Sequence, residues 1–223
     1  MCGRYTLICI DDLGTRFRLF DPTIGFRSHF NIAPGQSVPV IIQRDHIEAA
    51  LMRWGLRFGD PEGRPVSPAI INVRSEKLAE RRSFRRLLAG RRCLVPATGF
   101  FEWTKQGSQK SPFYFRLKGE RLFAFAALYD NWTDPAGNVQ SAYAIITTAA
   151  NDVVEPVHDR MPVILRREDE SRWLSGEVPT DQEMREVLSF YPSEDMEAYP
   201  VSNKVNSADI DDDSLIRPLA TLT

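Results

Sequence analysis

Apolar residues recur at every second position through much of the middle of the chain. "VPVIIQ" (Val38–Gln43) and "EAALMRWGLRF" (Glu48–Phe58) flank the polar "RDH" and predict two paired strands. "AIINV" (Ala69–Val73) predicts a short strand after "GDPEGRPVSP", whose glycines and prolines mark a loop over 59–68. "RCLVPA" (Arg92–Ala97), "GFFEWTK" (Gly99–Lys105), "PFYFRLK" (Pro112–Lys118), "RLFAFAALYD" (Arg121–Asp130) and "SAYAIITTA" (Ser141–Ala149) predict further strands, and "EAYPVSNKV" (Glu197–Val205) a last one. Helical spacing begins after Ser75, a candidate cap: Leu78, Phe84, Leu87 and Leu88 form an inner stripe, and Gly90 is a stop signal. Further helices are predicted around Glu168–Leu174 and after "TDQE", where Thr180 and Glu183 match a capping box. Strands fill the centre and helices lie outside it. The pattern predicts an α+β fold: a largely antiparallel, barrel-like sheet core flanked by a few helices. There is no repeat, low-complexity tract or clean linker, so residues 1–223 are expected to form one domain.

Composition narrows the class. The chain has 223 residues, 43% hydrophobic and 26% charged, enough to bury a real core. No apolar run approaches the ~20 residues that span a bilayer. The N-terminus lacks the basic, apolar and small-residue succession of a secretory signal. Cys2, Cys9 and Cys93 form no CxxC pair, so neither a disulfide framework nor a zinc site is expected. These readings predict a cytoplasmic protein with no cofactor and no metal.

Charge changes the picture. The net charge of −2 hides a division along the chain. Residues 1–150 carry 21 Lys and Arg against 13 Asp and Glu, a net of +8. Residues 151–223 carry 7 against 17, a net of −10. The basic part peaks in "RSEKLAERRSFRRLLAGRR" (Arg74–Arg92), with eight basic residues to two acidic ones. Such a run is either a solvated helix face or a phosphate-binding surface. The acidic "DIDDDS" (Asp209–Ser214) is expected to be solvated.

Four short stretches carry unusual chemistry. In "MCGR", removal of Met1 makes Cys2 the first residue, with an amine of pKa about 8 and a thiol of pKa about 8.5 on adjacent carbons. Such a 1,2-aminothiol condenses with aldehydes to a thiazolidine ring. "INVRSE" places Asn72 and Arg74 at the end of an apolar strand. "GFFEW" sets Glu102 between Phe101 and Trp103; alternation puts the two rings on one face and the carboxylate on the other. "HDRMPVIL" puts His158, Asp159 and Arg160 ahead of a strand-like run. Each has an ordinary alternative: a small early residue for Cys2, a solvated edge for Glu102, a structural imidazole for His158, backbone bonding for Asn72. Together they suggest a nucleophile, two acid/base groups and a polar orienter.

The ordered set "MCGR", "NIAPGQ", "RWGL", "INVRSE", "F..LL..RRCLVPATGFFEW", "ITTAAN" and "HDRMPVIL" resembles the SOS response-associated peptidase family, whose members are also described as abasic-site processing proteins. The match runs from Cys2 to about residue 165, with an echo in "VSNKVNS". The resemblance implies binding to single-stranded DNA that has lost a base, at single-strand/duplex junctions among other places, by a monomer. It implies that Cys2 captures the exposed aldehyde, first as a Schiff base and then as a thiazolidine. By motif, Glu102 is the proton-transfer carboxylate, His158 assists ring opening and reversal, and Asn72 orients the sugar. Arg4, Arg74, Arg82 and Arg160 match phosphate-holding positions, and Asn31, Pro34, Trp103 and Thr147 fall in DNA-contacting motifs. The family name implies a self-processing step exposing Cys2. Relatives carry a tryptophan after the "WGL" strand; here the stretch is "RFGDPEGRPVSP", and Phe58 is the aromatic available to replace it. Two other readings stay open: a thiol peptidase using Cys2 and His158 as a dyad, and a non-covalent single-strand binder.

Overall fold

Every residue of "RCLVPA" is buried, on both faces of its strand. Such a strand needs a closed or doubly covered sheet around it, and the structure supplies one. The structure is a computed structural model that describes residues 2–22, 25–58, 68–106, 109–133 and 137–219. Its elements in chain order are β1 (Arg4–Leu7), α1 (Leu13–Phe17), β2 (His29–Ile32), β3 (Ser37–Gln43), β4 (Ile47–Trp54), β5 (Asn72–Arg74), α2 (Arg82–Leu88), β6 (Arg92–Ala97), β7 (Gly99–Gln106), β8 (Gln109–Leu117), β9 (Phe123–Thr133) and β10 (Val139–Ala149). β11 (Arg160–Pro162), β12 (Ile164–Leu165), α3 (Arg167–Leu174), α4 (Asp181–Val187) and β13 (Met196–Pro200) follow.

Strands β10, β4, β3, β6 and β9 close into a five-stranded barrel, because β9 pairs back onto β10. Only the β4–β10 contact in that ring is parallel. A second sheet, ordered β13-β8-β7-β1-β2, covers it. The expected α+β architecture with a largely antiparallel, barrel-like core is therefore present. Tyr5, Leu7, Phe100 and Phe115 of the second sheet join Val40, Leu94, Phe125 and Ile145 of the barrel in one apolar core. Closure leaves no open edge in the ring and explains the doubly buried β6.

β10 is the organiser. Along one edge it pairs with β4 and then, in parallel, with β5. Along the other it pairs with β9 and then with β11. Its last residues therefore bring "INVR" and "HDRMP" to neighbouring positions, although they lie more than 80 residues apart in sequence.

Several elements differ from their predicted form. β4 ends at Trp54, because Gly55 turns the chain at φ 138°, a left-handed region that favours glycine. The arginine-rich segment is not one helix. Ser75–Lys77 is a 3-10 turn, and α2 starts only at Arg82. On a continuous helix Leu78 and Phe84 would sit about 120° apart at ~100° per residue; the break lets both reach the core. Thr180 and Glu183 do form the predicted capping box at the start of α4. The last strand stops at Pro200, which has no N–H to donate, and the chain continues as a 3-10 turn over Asn203–Asn206. The predicted loop over 59–68 lies outside the described residues apart from Pro68.

The acidic segment is not merely solvated. Asp211 Oδ1 accepts from the backbone amides of Phe30 (2.6 Å) and Asn31 (3.1 Å), and Oδ2 lies 2.6 Å from His29 Nδ1. This ties the segment to β2. Among the described residues no helix is long and apolar enough to cross a membrane.

Gly99 opens β7 against Tyr114, whose hydroxyl joins Thr6 Oγ1 at 2.9 Å, while Thr6 Oγ1 lies 2.7 Å from Thr98 Oγ1. A Cβ at Gly99 would sit 2.2 Å from the Tyr114 hydroxyl oxygen. Gly99→Ala should therefore displace Tyr114, break this network and cost about 2 kcal/mol. Thermal unfolding should show Tm lower by roughly 5 °C for a chain of this size; an unchanged Tm would mean that β7 can slide away from β8.

Candidate active site and nucleic-acid interface

The alternation read in "GFFEW" is realised on β7. Phe101 and Trp103 pack outward into a small cluster with Tyr114, Val201, Val205 and Leu215, under the C-terminal segment. Phe100 packs inward into the main core. Glu102 lies on that inner face and is 3% exposed, so it is not a solvated edge residue. Burial raises its pKa by disfavouring the charged form, and the positive field of His158 partly offsets this.

Cys2 lies just before β1, whose Arg4 pairs with Phe101 of β7. Its side chain is fully buried, and the thiol lies 3.8 Å from the Arg4 carbonyl oxygen, to which it can donate. Burial first, and then the negative charge of Glu102, push the thiol pKa far above its ordinary value. Asn72 at the start of β5 donates from Nδ2 to the Cys2 carbonyl at 2.7 Å. Its Oδ1 is buried and has no hydrogen-bond partner among the described residues. Cys2, Asn72, Glu102 and His158 are thus linked into one constellation. Beneath it Tyr5 and Tyr143, both buried, share a hydrogen bond of 2.9 Å.

His158 is oriented by its own loop. Its Nδ1 lies 3.0 Å from the Arg160 backbone nitrogen and 2.9 Å from Asp159 Oδ1. One ring nitrogen cannot accept from the amide and donate to the carboxylate at once. The amide hydrogen is fixed in direction, whereas Asp159 is 83% exposed and open to solvent. The neutral ring is therefore assigned with Nδ1 accepting and the proton on Nε2. Protonation of the ring would exchange the Arg160 amide for Asp159.

The expected DNA-contacting residues divide into two groups. The first consists of residues already engaged inside the molecule. Arg4 Nη1 donates to Asn31 Oδ1 (2.8 Å) and the Val205 carbonyl (2.7 Å), and Nη2 donates to the Asn206 carbonyl (3.3 Å). Asn31, which is buried, donates to the carbonyls of Ser207 and Ile210, each at 2.8 Å, whereas Arg4 is half-buried. Trp103 Nε1 donates to Asn206 Oδ1 at 2.8 Å. These three hold the C-terminal segment, which explains the "VSNKVNS" echo as a docking motif. Thr147 is buried in β10, with its hydroxyl 3.5 Å from the Val73 carbonyl.

The second group lies at the surface. Arg74 ends β5, Arg82 begins α2, and Pro34 sits in the turn after β2; all three are exposed. Arg160 stands between the groups: it opens β11 with its side chain 11% exposed. Phe58 packs on Phe84 of α2, with ring centroids 5.6 Å apart. Sequence reasoning missed Glu76, which grips Arg160, and Asp211 and Asn206, which fix the C-terminal segment. Glu76 was visible inside "INVRSE", but nothing in its spacing points to a partner 84 residues away.

A buried thiol at the second residue, a carboxylate of raised pKa and an oriented imidazole define a site for nucleophilic chemistry with acid–base assistance. Arg74, exposed, ends the strand that Asn72 begins. Comparison with known proteins shows the family. Residues 1–208 match the sequence profile of the SOS response associated peptidase (SRAP) family, and the chain belongs to that family. It is 39% identical over 212 residues to "Abasic site processing protein YoqW" of Bacillus subtilis, covering 93% of this chain and 95% of that one. It is 30% identical over 233 residues to "Abasic site processing protein YedK" of Escherichia coli, covering 98% and 100%. A crystal structure of a protein from Bacteroides thetaiotaomicron shares the fold, with a TM-score of 0.85 at 24% identity, covering 98% of this chain and 100% of that one.

The engaged arginine gives a first test of the site's architecture. Arg4→Gln removes donors from two carbonyls of the 3-10 turn and should cost about 1–3 kcal/mol. Amide hydrogen exchange should then rise selectively over Val205–Ser207. Unchanged protection there would show that Arg4 does not hold the segment.

Proposed function

We propose that this chain captures abasic sites in single-stranded DNA by covalent attachment through Cys2. Removal of Met1 frees the α-amine. The unprotonated amine adds to the aldehyde of the ring-opened sugar, and loss of water leaves a Schiff base. The thiol then adds to the C=N bond: the S–C bond forms, the thiol proton passes to nitrogen, and a thiazolidine closes with no leaving group. The observation that carries this reading is the joint placement of Cys2, Asn72, Glu102 and His158 around one buried point.

The electrostatics favour that order of events. Burial and Glu102 keep the thiol protonated, so it does not compete with the amine as the first nucleophile. Once the imine has formed, its basic nitrogen takes the thiol proton, and the sulfur so released adds to the carbon. A carboxylate of raised pKa can supply the proton that dehydrates the carbinolamine and take it back on reversal. The unpartnered Asn72 Oδ1 offers an acceptor to a sugar hydroxyl. An abasic nucleotide has no stacking to lose on entering a pocket. Exposed arginines such as Arg74 and Arg82 supply sequence-independent attraction to phosphates. A thiol peptidase acting on other proteins needs the opposite arrangement, a thiol whose pKa is lowered.

The test is a denaturing gel with abasic single-stranded oligonucleotide. A shifted band that survives heating is expected, and Cys2→Ala should abolish it. One extra residue retained before Cys2 should abolish the band too while leaving reversible binding nearly unchanged. Absence of the band with protein lacking Met1 would falsify the proposal. Glu102→Gln should slow capture by about 10²-fold or more.

Acid should slow capture as well. The α-amine has a reference pKa of about 8 and reacts only when unprotonated, so its reactive fraction falls about tenfold per pH unit below that value. A rate that stays flat down to about pH 4 would contradict amine attack.

A further inference from the structure

Arg160 is held by an acidic residue where a phosphate is expected. Its Nη1 donates to Glu76 Oε1 at 2.6 Å and its Nη2 to Glu76 Oε2 at 3.0 Å, a bidentate fork. Nη2 also donates to the Thr147 carbonyl at 2.6 Å. Nε is buried without a hydrogen-bond partner among the described residues. The guanidinium is thus held by the Thr147 carbonyl of β10 through one terminal nitrogen and gripped by Glu76 through both. A carboxylate and a phosphate present the same paired oxygens to a guanidinium.

We propose that Glu76 is an internal phosphate mimic: it occupies Arg160 in the free protein and is exchanged for a DNA phosphate when the strand binds. This inference rests on the reading of the site as a single-stranded DNA interface.

Three observations support exchange rather than permanent pairing. Glu76 sits on the short Ser75–Lys77 turn, with its side chain 54% exposed, whereas Arg160 is 11% exposed, so the acid can leave and the arginine cannot. Glu76 also lines an open cleft of about 400 Å³ between that turn and α4, with Arg185 and Asp181 of α4 on the facing wall. A displaced carboxylate therefore has water and a cation to move toward. Finally, the hydrogen bonds from Arg160 lower the pKa of Glu76, which favours the charged form that competes with phosphate.

The consequence is discrimination. Any strand must displace Glu76 to reach Arg160, which weakens binding to intact DNA. At a lesion the covalent step at Cys2 makes the exchange irreversible on the timescale of binding. Arg160 also fixes His158 through its backbone amide, so its side chain and the acid–base group are joined at the start of β11.

The test measures reversible binding of the full chain by fluorescence anisotropy. The probe is a single-stranded oligonucleotide containing a tetrahydrofuran, an abasic analogue without an aldehyde. Glu76→Gln and Glu76→Ala should each bind at least about threefold tighter than wild type at low salt. The slope of log affinity against log salt should stay at the wild-type value, because the same phosphate reaches Arg160 in both proteins; a slope steeper by about 0.7, one extra phosphate contact on a single strand, would mean that Glu76 is not displaced in wild type and overturn the exchange. In an Arg160→Gln background both gains should vanish. Equal or weaker binding by both Glu76 variants, or a gain that persists without Arg160, overturns the exchange. A parallel arm with an aldehyde-bearing oligonucleotide tests the functional reading separately. If wild type forms no Cys2-dependent crosslink there, that reading fails, whatever Glu76 does to affinity.

Discussion

Taking a carboxylate out of water is expensive, and most acidic side chains avoid it. Glu102 does not, and much of this structure can be understood as the means of keeping it buried. β7 turns its aromatic face outward under the C-terminal segment and its inner face toward the barrel, which leaves Glu102 with nowhere else to point. The cost appears as a raised pKa, and the field of His158 moderates it. The same burial keeps the neighbouring thiol protonated. A stretch of low-dielectric interior thus acts on both groups, raising the pKa of the carboxyl and of the thiol.

Two long-range arrangements make this possible. Barrel closure through β9 and β10 leaves β10 projecting beyond the ring, where β5 and β11 add to its two edges. That extension delivers Asn72 and the His158–Arg160 loop to the terminus of the chain. On the other sheet the C-terminal 3-10 turn closes over β7 and is fastened by Arg4, Asn31 and Trp103. These residues hold the cover over the outer face of β7, the face opposite Glu102.

Electrostatics is divided along similar lines. Some arginines satisfy carbonyls in the interior; Arg92 is the extreme, donating to Trp173, Leu88, Ser175 and Glu177. Others, such as Arg16 with Glu170 and Arg86 with Asp130, are neutralised by acids. The basic surplus of residues 1–150 is therefore smaller in effect than in count. What remains at the surface, on Arg74 and on the outer side of α2, forms the attractive face. Arg160 is different because its acidic partner is exposed and removable.

The hydrophobic pattern by itself determined most of the barrel. Strands of seven or more residues are recognisable because alternation over that length is hard to produce otherwise, and the capping box of α4 is a purely local hydrogen-bond pair. β1, β2, β11 and β12 have two to four residues each and are too short to show a period. The sequence also nominated Cys2, Asn72, Glu102 and His158, since each is a reactive or polar type in an unusual setting. Only the tertiary structure decided that they meet, that Arg4 and Asn31 face inward, that Asp211 is a ligand for backbone amides, and that Glu76 finds Arg160. The physical reason is the same in each case. Burial and ion pairing depend on distance in space, and a closed barrel joins segments whose separation along the chain carries no trace of it.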